Sequence, residues 1–153
     1  NSFSPEMFIL FSIALALILL FRKQKKWAIF FLVTMGFGML SMLLLKDIFA
    51  LSRPEIMFIP ETGWSFPSGH ATAVAIFFFS ILYALKKTIS NYRIAFAWTL
   101  ISLLFLFVIG LSRIHLGVHW FTDVVAGFAL GVFWVALWGL IYEKIHESQA
   151  NHS

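Results

Sequence analysis

Five long apolar runs dominate this sequence of 153 residues and restrict what it can fold into. A helix needs about 20 mostly apolar residues, within a range of roughly 17 to 25, to cross the hydrocarbon layer of a bilayer. Each run has such a length. Charged residues make up only 12% of the chain, too few to cover the surface of a soluble protein of this size. We therefore predict an all-α, polytopic membrane helix bundle with five transmembrane helices. The runs are Pro5–Phe21, Trp27–Leu45, Gly69–Leu85, Ile94–Leu111 and Val118–Tyr142.

The positions of the basic residues predict how these helices are oriented. Eight of the eleven lysines and arginines lie in three polar segments that five crossings place on the same side, and the positive-inside rule makes that side cytoplasmic. These eight are Arg22, Lys23, Lys25, Lys26, Lys86, Lys87, Arg93 and Lys144. Only Lys46, Arg53 and Arg113 remain for the outer side, each beside an apolar run. These three cations therefore need a functional explanation.

The long outer segment Lys46–Ser68 is predicted to be irregular. It contains Pro54, Pro60, Gly63 and Pro67, which exclude one continuous helix. Its many apolar side chains suit the membrane interface. We expect an outward-facing loop between the second and third helices.

Two further features bear on helix packing and on the end of the chain. Gly127 and Gly131 are four residues apart and predict close helix contact in the last run, and Gly36 and Gly38 predict the same in the second. The polar tail Glu143–Ser153 is expected to fray on the cytoplasmic side. Its two histidines are expected to be solvated; they are His146 and His152.

Three clusters of polar residues face the same outer boundary. Lys46 and Arg53 form the first, the segment Pro67–His70 at the start of the third run forms the second, and Ser112–Asp123 forms the third. Three cations in a thin layer repel one another unless an anion with several oxygens lies between them. Phosphate suits this place, because arginine binds its oxygens bidentately and lysine adds a compact charge. A Pro-Ser-Gly-His helix start adds free N–H groups and a favourable dipole. The clusters thus predict a site for a phosphoryl group.

The histidines beside this site allow hydrolysis in two steps. His119 can attack phosphorus as a neutral imidazole and form a phosphohistidine. Asp123, four residues later and on the same face if the stretch is helical, would accept the other ring N–H. His70 would protonate the leaving oxygen and then activate water. The cations would stabilise charge on the equatorial oxygens, as a metal does elsewhere.

Each of these residues has a plainer explanation when it is taken alone. Lys46 and Arg113 can extend from helix ends to lipid headgroups, and Ser68 can be an ordinary N-cap. His115 is interpreted as a rim residue. A metal site built from the three nearby histidines is disfavoured because the adjacent cations would repel a dication. The chain has no cysteine, which excludes disulfides and thiolate metal sites. The joint pattern favours a phosphate site without metal or cofactor.

Three motifs, all in order, resemble the signature of the type 2 phosphatidic acid phosphatase family. They are Lys-x6-Arg-Pro at Lys46–Pro54, Pro-Ser-Gly-His at Pro67–His70 and Ser-Arg-x5-His-x3-Asp at Ser112–Asp123. The family includes phosphatidylglycerophosphate and undecaprenyl pyrophosphate phosphatases, lipid phosphate phosphatases and the soluble vanadium haloperoxidases. The resemblance implies that His119 is the nucleophile, Asp123 its partner and His70 the acid and base. It also implies that phosphate is held by Lys46, Arg53, Ser68, Gly69 and Arg113.

The resemblance implies that the protein is a metal-independent lipid phosphatase or pyrophosphatase. It would lie in a bacterial cytoplasmic membrane, with its active site on the outer face. Its partners would be a lipid phosphate and the bilayer, with no nucleic acid. Headgroup choice would lie with outer-loop residues such as Glu55, Glu61, Thr62 and Trp64. Two alternatives stay open: a lipid phosphotransferase of the same family, and a non-catalytic protein that binds phospholipids.

The resemblance also sets an expectation for the extent of the chain. Membrane members of the family usually cross six times, and the five runs here match the last five crossings. We expect residues 1–153 to form a single domain of this type. Its first family helix would be missing, split off or supplied by a larger chain.

Overall fold

Helices form wherever the sequence has its long apolar runs, and the polar clusters lie at their ends. The computed structural model describes residues 5–150, without the side chains of residues 146–150. Within that range the regular structure is entirely α-helical, which confirms the predicted all-α class. The helices are α1 (Pro5–Phe21), α2 (Lys25–Phe49), α3 (Gly69–Thr88), α4 (Tyr92–His115) and α5 (Phe121–Ala150).

Four of the five helices are long and apolar enough to cross a bilayer. These are α2, α3, α4 and the part of α5 up to Ile145, judged by length and composition over the part of the chain that the structure describes. The remaining helix, α1, is apolar but has 17 residues. At 1.5 Å per residue it extends roughly 25 Å, a little less than the hydrocarbon layer of about 30 Å. The protein is an integral membrane protein with four candidate spans and one shorter apolar helix.

Helix α3 lies at the centre of the bundle and packs against all four others. Its first two turns consist largely of small residues, and every residue from Gly69 to Ile76 is buried. Small side chains let neighbouring backbones come close, which is the main means of helix association in a membrane. The start of α3 carries the Pro-Ser-Gly-His motif. This packing therefore places the motif among the ends of the other helices.

Glycines in α5 bring its backbone against α3. A Cβ added at Gly127 would lie 2.6 Å from the carbonyl oxygen of Ser68, and one at Gly131 would lie 2.6 Å from Cβ of Ala75. The contact predicted for this pair is therefore present. In α2 the prediction holds for Gly38 only. Gly36 has no atom within 4 Å of an added Cβ, so its predicted packing role is wrong.

Replacing Gly127 by leucine should separate the ends of α3 and α5. The new side chain meets backbone that cannot move aside, and overpacking of this kind costs about 1 to 3 kcal/mol. We expect a lower midpoint of thermal unfolding in detergent micelles and impaired function of any site built on both helix ends. Gly36→Leu is the matched control, because that side chain enters open space. Equal midpoints for the two variants would contradict the packing described here.

The last helix continues further than expected. α5 runs to Ala150, so the prediction of a frayed tail from Glu143 is wrong for the residues up to that point. Glu143 is tied to α3, because Lys87 forms an ion pair with it and the Tyr83 hydroxyl lies 3.2 Å from its Oε1. These contacts extend the helix past its apolar part. The expectations for the side chains of His146 and His152 lie outside the described residues.

The outer segment between α2 and α3 is irregular, as predicted. α2 ends at Phe49, its C-cap residue Ala50 has a left-handed φ of 44°, and no helix follows until Gly69. The loop is fixed against the turn between α4 and α5, since the Phe58 N–H donates to the Leu116 carbonyl at 3.0 Å. Gly117 permits this contact. Its φ is +67°, and an added Cβ would lie 2.2 Å from the Ile56 carbonyl oxygen.

Candidate active site

The three motif clusters meet at one pocket of about 470 Å³, next to the start of α3. Its wall is of two kinds. The polar part consists of Glu6, Lys46, Arg53, Glu61, His70 and His119. The apolar part consists of Pro5, Ile9, Met39, Met42, Leu43 and the backbone of Gly69. The pocket thus joins a charged end to an apolar side, and α1 and α2 supply the apolar residues.

Lys46 and Arg53 hold the outer loop against the pocket. Lys46, in the last turn of α2, donates from Nζ to the Trp64 carbonyl at 2.6 Å. Arg53 donates from Nε to the Gly63 carbonyl at 3.1 Å and from Nη1 to the Val118 carbonyl at 2.7 Å. Arginine has five N–H donors, so these bonds orient the guanidinium without using all of them. Both cations are positioned by backbone carbonyls and face the same pocket.

His119 lies in the turn before α5, and Asp123 lies in the first turn of that helix. The condition of a helical stretch is therefore not met at His119, yet its Nδ1 is 3.4 Å from Asp123 Oδ2. The same oxygen accepts the Trp120 N–H at 2.9 Å, one half of a capping box. Helix capping thus fixes the carboxylate that faces the imidazole.

The contacts on both sides of the His119 ring determine its tautomer. Asp123 is fully buried and its carboxylate accepts, which places the ring proton on Nδ1. On the other side, Arg53 Nη1 is 3.5 Å from Nε2, and a guanidinium only donates. The Nε2 lone pair therefore faces the cationic side of the pocket. This is the orientation that a nucleophilic imidazole needs.

The surroundings of His119 also keep the ring neutral. Burial is the main cause that lowers its pKa, and the positive charges of Arg53 and Lys46 lower the pKa further, to about 3. An ordinary histidine has a pKa of about 6.5. The His119 ring is thus uncharged at neutral pH, and its lone pair is available.

This lowered pKa should be visible by ¹⁵N NMR of histidine-labelled protein in detergent micelles. At about pH 5 an ordinary histidine is mostly protonated. The His119 ring should remain neutral there and take up a proton only as the pH approaches about 3. The folded state should also lose stability as the pH falls below about 6.5, because only the unfolded chain then binds this proton. A His119→Gln variant assigns the signal, and a His119 midpoint near pH 6.5 would contradict the expectation.

Arg113 reaches the site through His70. Its side chain is buried, and Nη1 lies 3.1 Å from His70 Nε2. Its Nε donates to the Ser112 hydroxyl at 3.2 Å. Because Arg113 donates, His70 Nε2 accepts, and a proton on that neutral ring lies on Nδ1. The predicted acid and base is therefore held by one of the predicted phosphate ligands.

The two remaining predicted residues lie at the start of α3. Ser68 is fully buried and caps the helix, since its Oγ accepts the Ala71 N–H at 3.5 Å. Its own N–H donates to the Asp123 carbonyl at 3.0 Å, which joins the second motif to the third. Gly69 lines the pocket. Ser68 thus has a clear structural role beside the predicted one.

Two residues near the site, His115 and Glu6, have positions that the sequence did not indicate. His115 stacks on Phe58, with ring centroids 6.2 Å apart, and is not in the pocket wall as far as the structure describes it. Glu6 was not predicted, although it lines the pocket. The predicted topology already places the start of α1 at the motif end. A single sequence does not reveal that α1 lies next to α3 there.

Comparison with known proteins identifies the family of this chain. The sequence model of the PAP2 superfamily matches residues 6–147. Phosphatidylglycerophosphatase B of Bacillus subtilis is 31% identical over 119 residues, which cover 74% of this chain and 57% of that protein. An undecaprenyl-diphosphatase of Sulfolobus acidocaldarius is 29% identical over 123 residues, which cover 76% of this chain and 55% of that protein. The chain thus spans little more than half the length of these curated relatives.

A solved structure has the same fold. It is the crystal structure of a transmembrane PAP2 type phosphatidylglycerolphosphate phosphatase from Bacillus subtilis, which this chain resembles with a TM-score of 0.77 and 30% identity. The match covers 90% of this chain and 68% of that one. The family model, the sequence relatives and the fold agree. The chain belongs to the PAP2 superfamily.

Proposed function

We propose that this protein is a lipid phosphatase that works through a phosphohistidine on His119. The contacts of the His119 ring are the strongest support for this proposal. The neutral ring of His119 turns Nε2 towards Arg53 while Nδ1 faces the buried carboxylate of Asp123. This arrangement places an orienting base and a phosphate ligand on opposite sides of a nucleophile, each within contact distance of it.

In the first step the Nε2 lone pair of His119 forms a bond to phosphorus while the bond to the lipid oxygen breaks. The electron pair of that bond goes to the leaving oxygen, which takes a proton from the protonated form of His70. Asp123 accepts the Nδ1–H throughout and stabilises the positive charge that develops on the ring. The lipid leaves as an alcohol if the substrate is a phosphomonoester.

In the second step water takes the place of the lipid. His70 removes a proton from the water, whose oxygen bonds to phosphorus as the N–P bond breaks. The electron pair returns to Nε2 of His119, and inorganic phosphate is released. Lys46, Arg53 and Arg113 stabilise the equatorial oxygens in both steps, with the Gly69 N–H and the Ser68 hydroxyl as further donors.

Arg113 changes partner during this cycle. It donates to Nε2 of His70 at 3.1 Å, which requires an unprotonated nitrogen there. When His70 carries the proton that it needs as an acid, Nε2 becomes a donor and can no longer accept from Arg113. A phosphate oxygen can accept from both groups. Substrate binding therefore turns Arg113 from His70 to the phosphate.

The apolar wall supports a lipid substrate. Ile9, Met39, Met42 and Leu43 continue from the charged end of the pocket along α1 and α2. A phosphorylated headgroup could lie among the cations while its acyl or prenyl tail follows this wall into the bilayer. The solved relative is named for a lipid phosphate as well. We assign the pocket to the outer face of the membrane because the cytoplasmic side should hold the basic loops.

A phosphate-release assay tests the proposal on purified protein in mixed micelles. The panel should compare phosphatidic acid, phosphatidylglycerophosphate and a prenyl pyrophosphate with a water-soluble phosphomonoester. We expect phosphate release from at least one lipid, preference for lipids over the soluble ester, and activity that survives exhaustive chelation. Phosphorylation of an added lipid acceptor without release of phosphate would instead indicate the phosphotransferase. Binding without turnover of any lipid would contradict a catalytic function.

A further inference from the structure

Two carboxylates share the pocket with the cations, and the proposed mechanism uses neither of them. Glu61 belongs to the outer loop and lies with Oε2 3.9 Å from Nη2 of Arg53. Glu6 belongs to the first turn of α1 and is exposed at the pocket wall. A carboxylate on the wall of a phosphate site repels the substrate's own charge, so its presence calls for an explanation.

The position of Glu6 indicates which part of a substrate it would meet. Its neighbour Pro5 packs on the start of α3, with Cγ 3.6 Å from a Cβ built at Gly69. One turn further along α1, Ile9 belongs to the apolar wall. Glu6 thus lies where the charged end of the pocket passes into its apolar side. In the binding mode proposed above, the group that links the reacting phosphate to the lipid tail passes this point.

Among the described residues, charges of both signs line the pocket. Lys46 and Arg53 lie in its wall together with Glu6 and Glu61. A phosphomonoester places its single phosphoryl group at the cations and an uncharged linkage beside Glu6. A pyrophosphate places its terminal phosphoryl group at the cations and a second anionic group beside Glu6. Only the second substrate brings like charges together at this wall.

We propose that Glu6 is a specificity-determining residue that favours lipid phosphomonoesters over lipid pyrophosphates. It acts by repulsion, which is how many sites reject a close analogue that their attractive contacts would also bind. This specificity presupposes the lipid phosphatase activity proposed above. Glu61 contacts Arg53, one of the proposed phosphate ligands, so its replacement would also disturb that ligand. Glu6 is therefore the residue to change.

The test compares kcat/KM for phosphatidic acid and for a prenyl pyrophosphate in the wild type, Glu6→Gln and Glu6→Lys. We expect Glu6→Gln to raise the ratio of pyrophosphate to monoester kcat/KM by about two- to fivefold at low salt, the effect of one partly screened charge. Glu6→Lys should raise the ratio further, because it changes the charge by two. High salt should reduce both effects, since an exposed charge is screened.

Asp47→Asn is the matched control. Asp47 is an exposed carboxylate at the same end of the bundle, one residue after Lys46, and it is not in the described wall of the pocket. Its ratio should equal that of the wild type. An unchanged ratio in both Glu6 variants, with active enzyme, would overturn the proposal for Glu6 alone. A wild type that turns over no lipid phosphate would instead overturn the proposed function.

Discussion

Replacing His119 by alanine should abolish phosphate release from lipid substrates. The variant loses the atom that attacks phosphorus in the proposed mechanism. Loss of the nucleophile in a comparable catalytic triad lowers kcat by about 10⁶-fold. We expect a fall of at least about 10⁴-fold here, measured as phosphate released per enzyme under saturating lipid.

His115→Ala is the control for this change. It removes a histidine from the same end of the bundle that stacks on Phe58 and is not in the described pocket wall. This variant should keep most of the activity. Both variants should remain folded, which the midpoint of thermal unfolding checks. Substantial turnover by folded His119→Ala protein would rule out His119 as the nucleophile.

Replacing Asp123 by asparagine should have the second largest effect. The amide can still accept the Trp120 N–H with its oxygen, as the Asp123 carboxylate does at 2.9 Å. The same oxygen position also faces Nδ1 of His119, so the amide oxygen can still accept the Nδ1–H and keep the ring tautomer. The variant loses the negative charge that stabilises the cation developing on the ring. The same change in a Ser-His-Asp triad, where the correct tautomer is lost as well, lowers kcat by about 10⁴-fold.

We expect Asp123→Asn to lower kcat by about 10²- to 10⁴-fold and to change KM little, because Asp123 is fully buried and does not line the described pocket. Steady-state kinetics on one lipid substrate separates the two parameters. A rise in KM at constant kcat would assign Asp123 to substrate binding instead. Unchanged kinetics would remove it from the mechanism.

The sequence predicted the elements of the fold well because membrane helices are long and apolar. The prediction from the sequence was less reliable where a polar contact between helices determines the residue at which a helix ends. α5 continues past Glu143 because that carboxylate contacts Tyr83 and Lys87 on another helix. Gly36 and Gly38 look alike in the chain, yet only Gly38 faces α3. Such differences depend on which face of a helix packs against its neighbour. When helices are apolar on nearly all faces, a single sequence does not indicate which face that is.

The candidate site could be predicted as a set of residues but not as an arrangement. The motif spacing indicated His119 and Asp123 as partners, although helix capping and not a shared helix face brings them together. The contact between Arg113 and His70 joins residues 43 positions apart and has no sequence signature. Glu6 was missed for a related reason. Its role depends on α1 lying beside α3, which is a matter of tertiary packing.

The stereochemical course at phosphorus tests the covalent mechanism most directly. The measurement uses a lipid phosphomonoester made chiral at phosphorus with sulfur and oxygen isotopes, hydrolysed in isotopically labelled water, and determines the configuration of the phosphate released. Attack by His119 followed by attack by water inverts phosphorus twice. We therefore expect net retention of configuration. Net inversion would mean that water attacks the lipid phosphate directly, and it would contradict a phosphohistidine at His119.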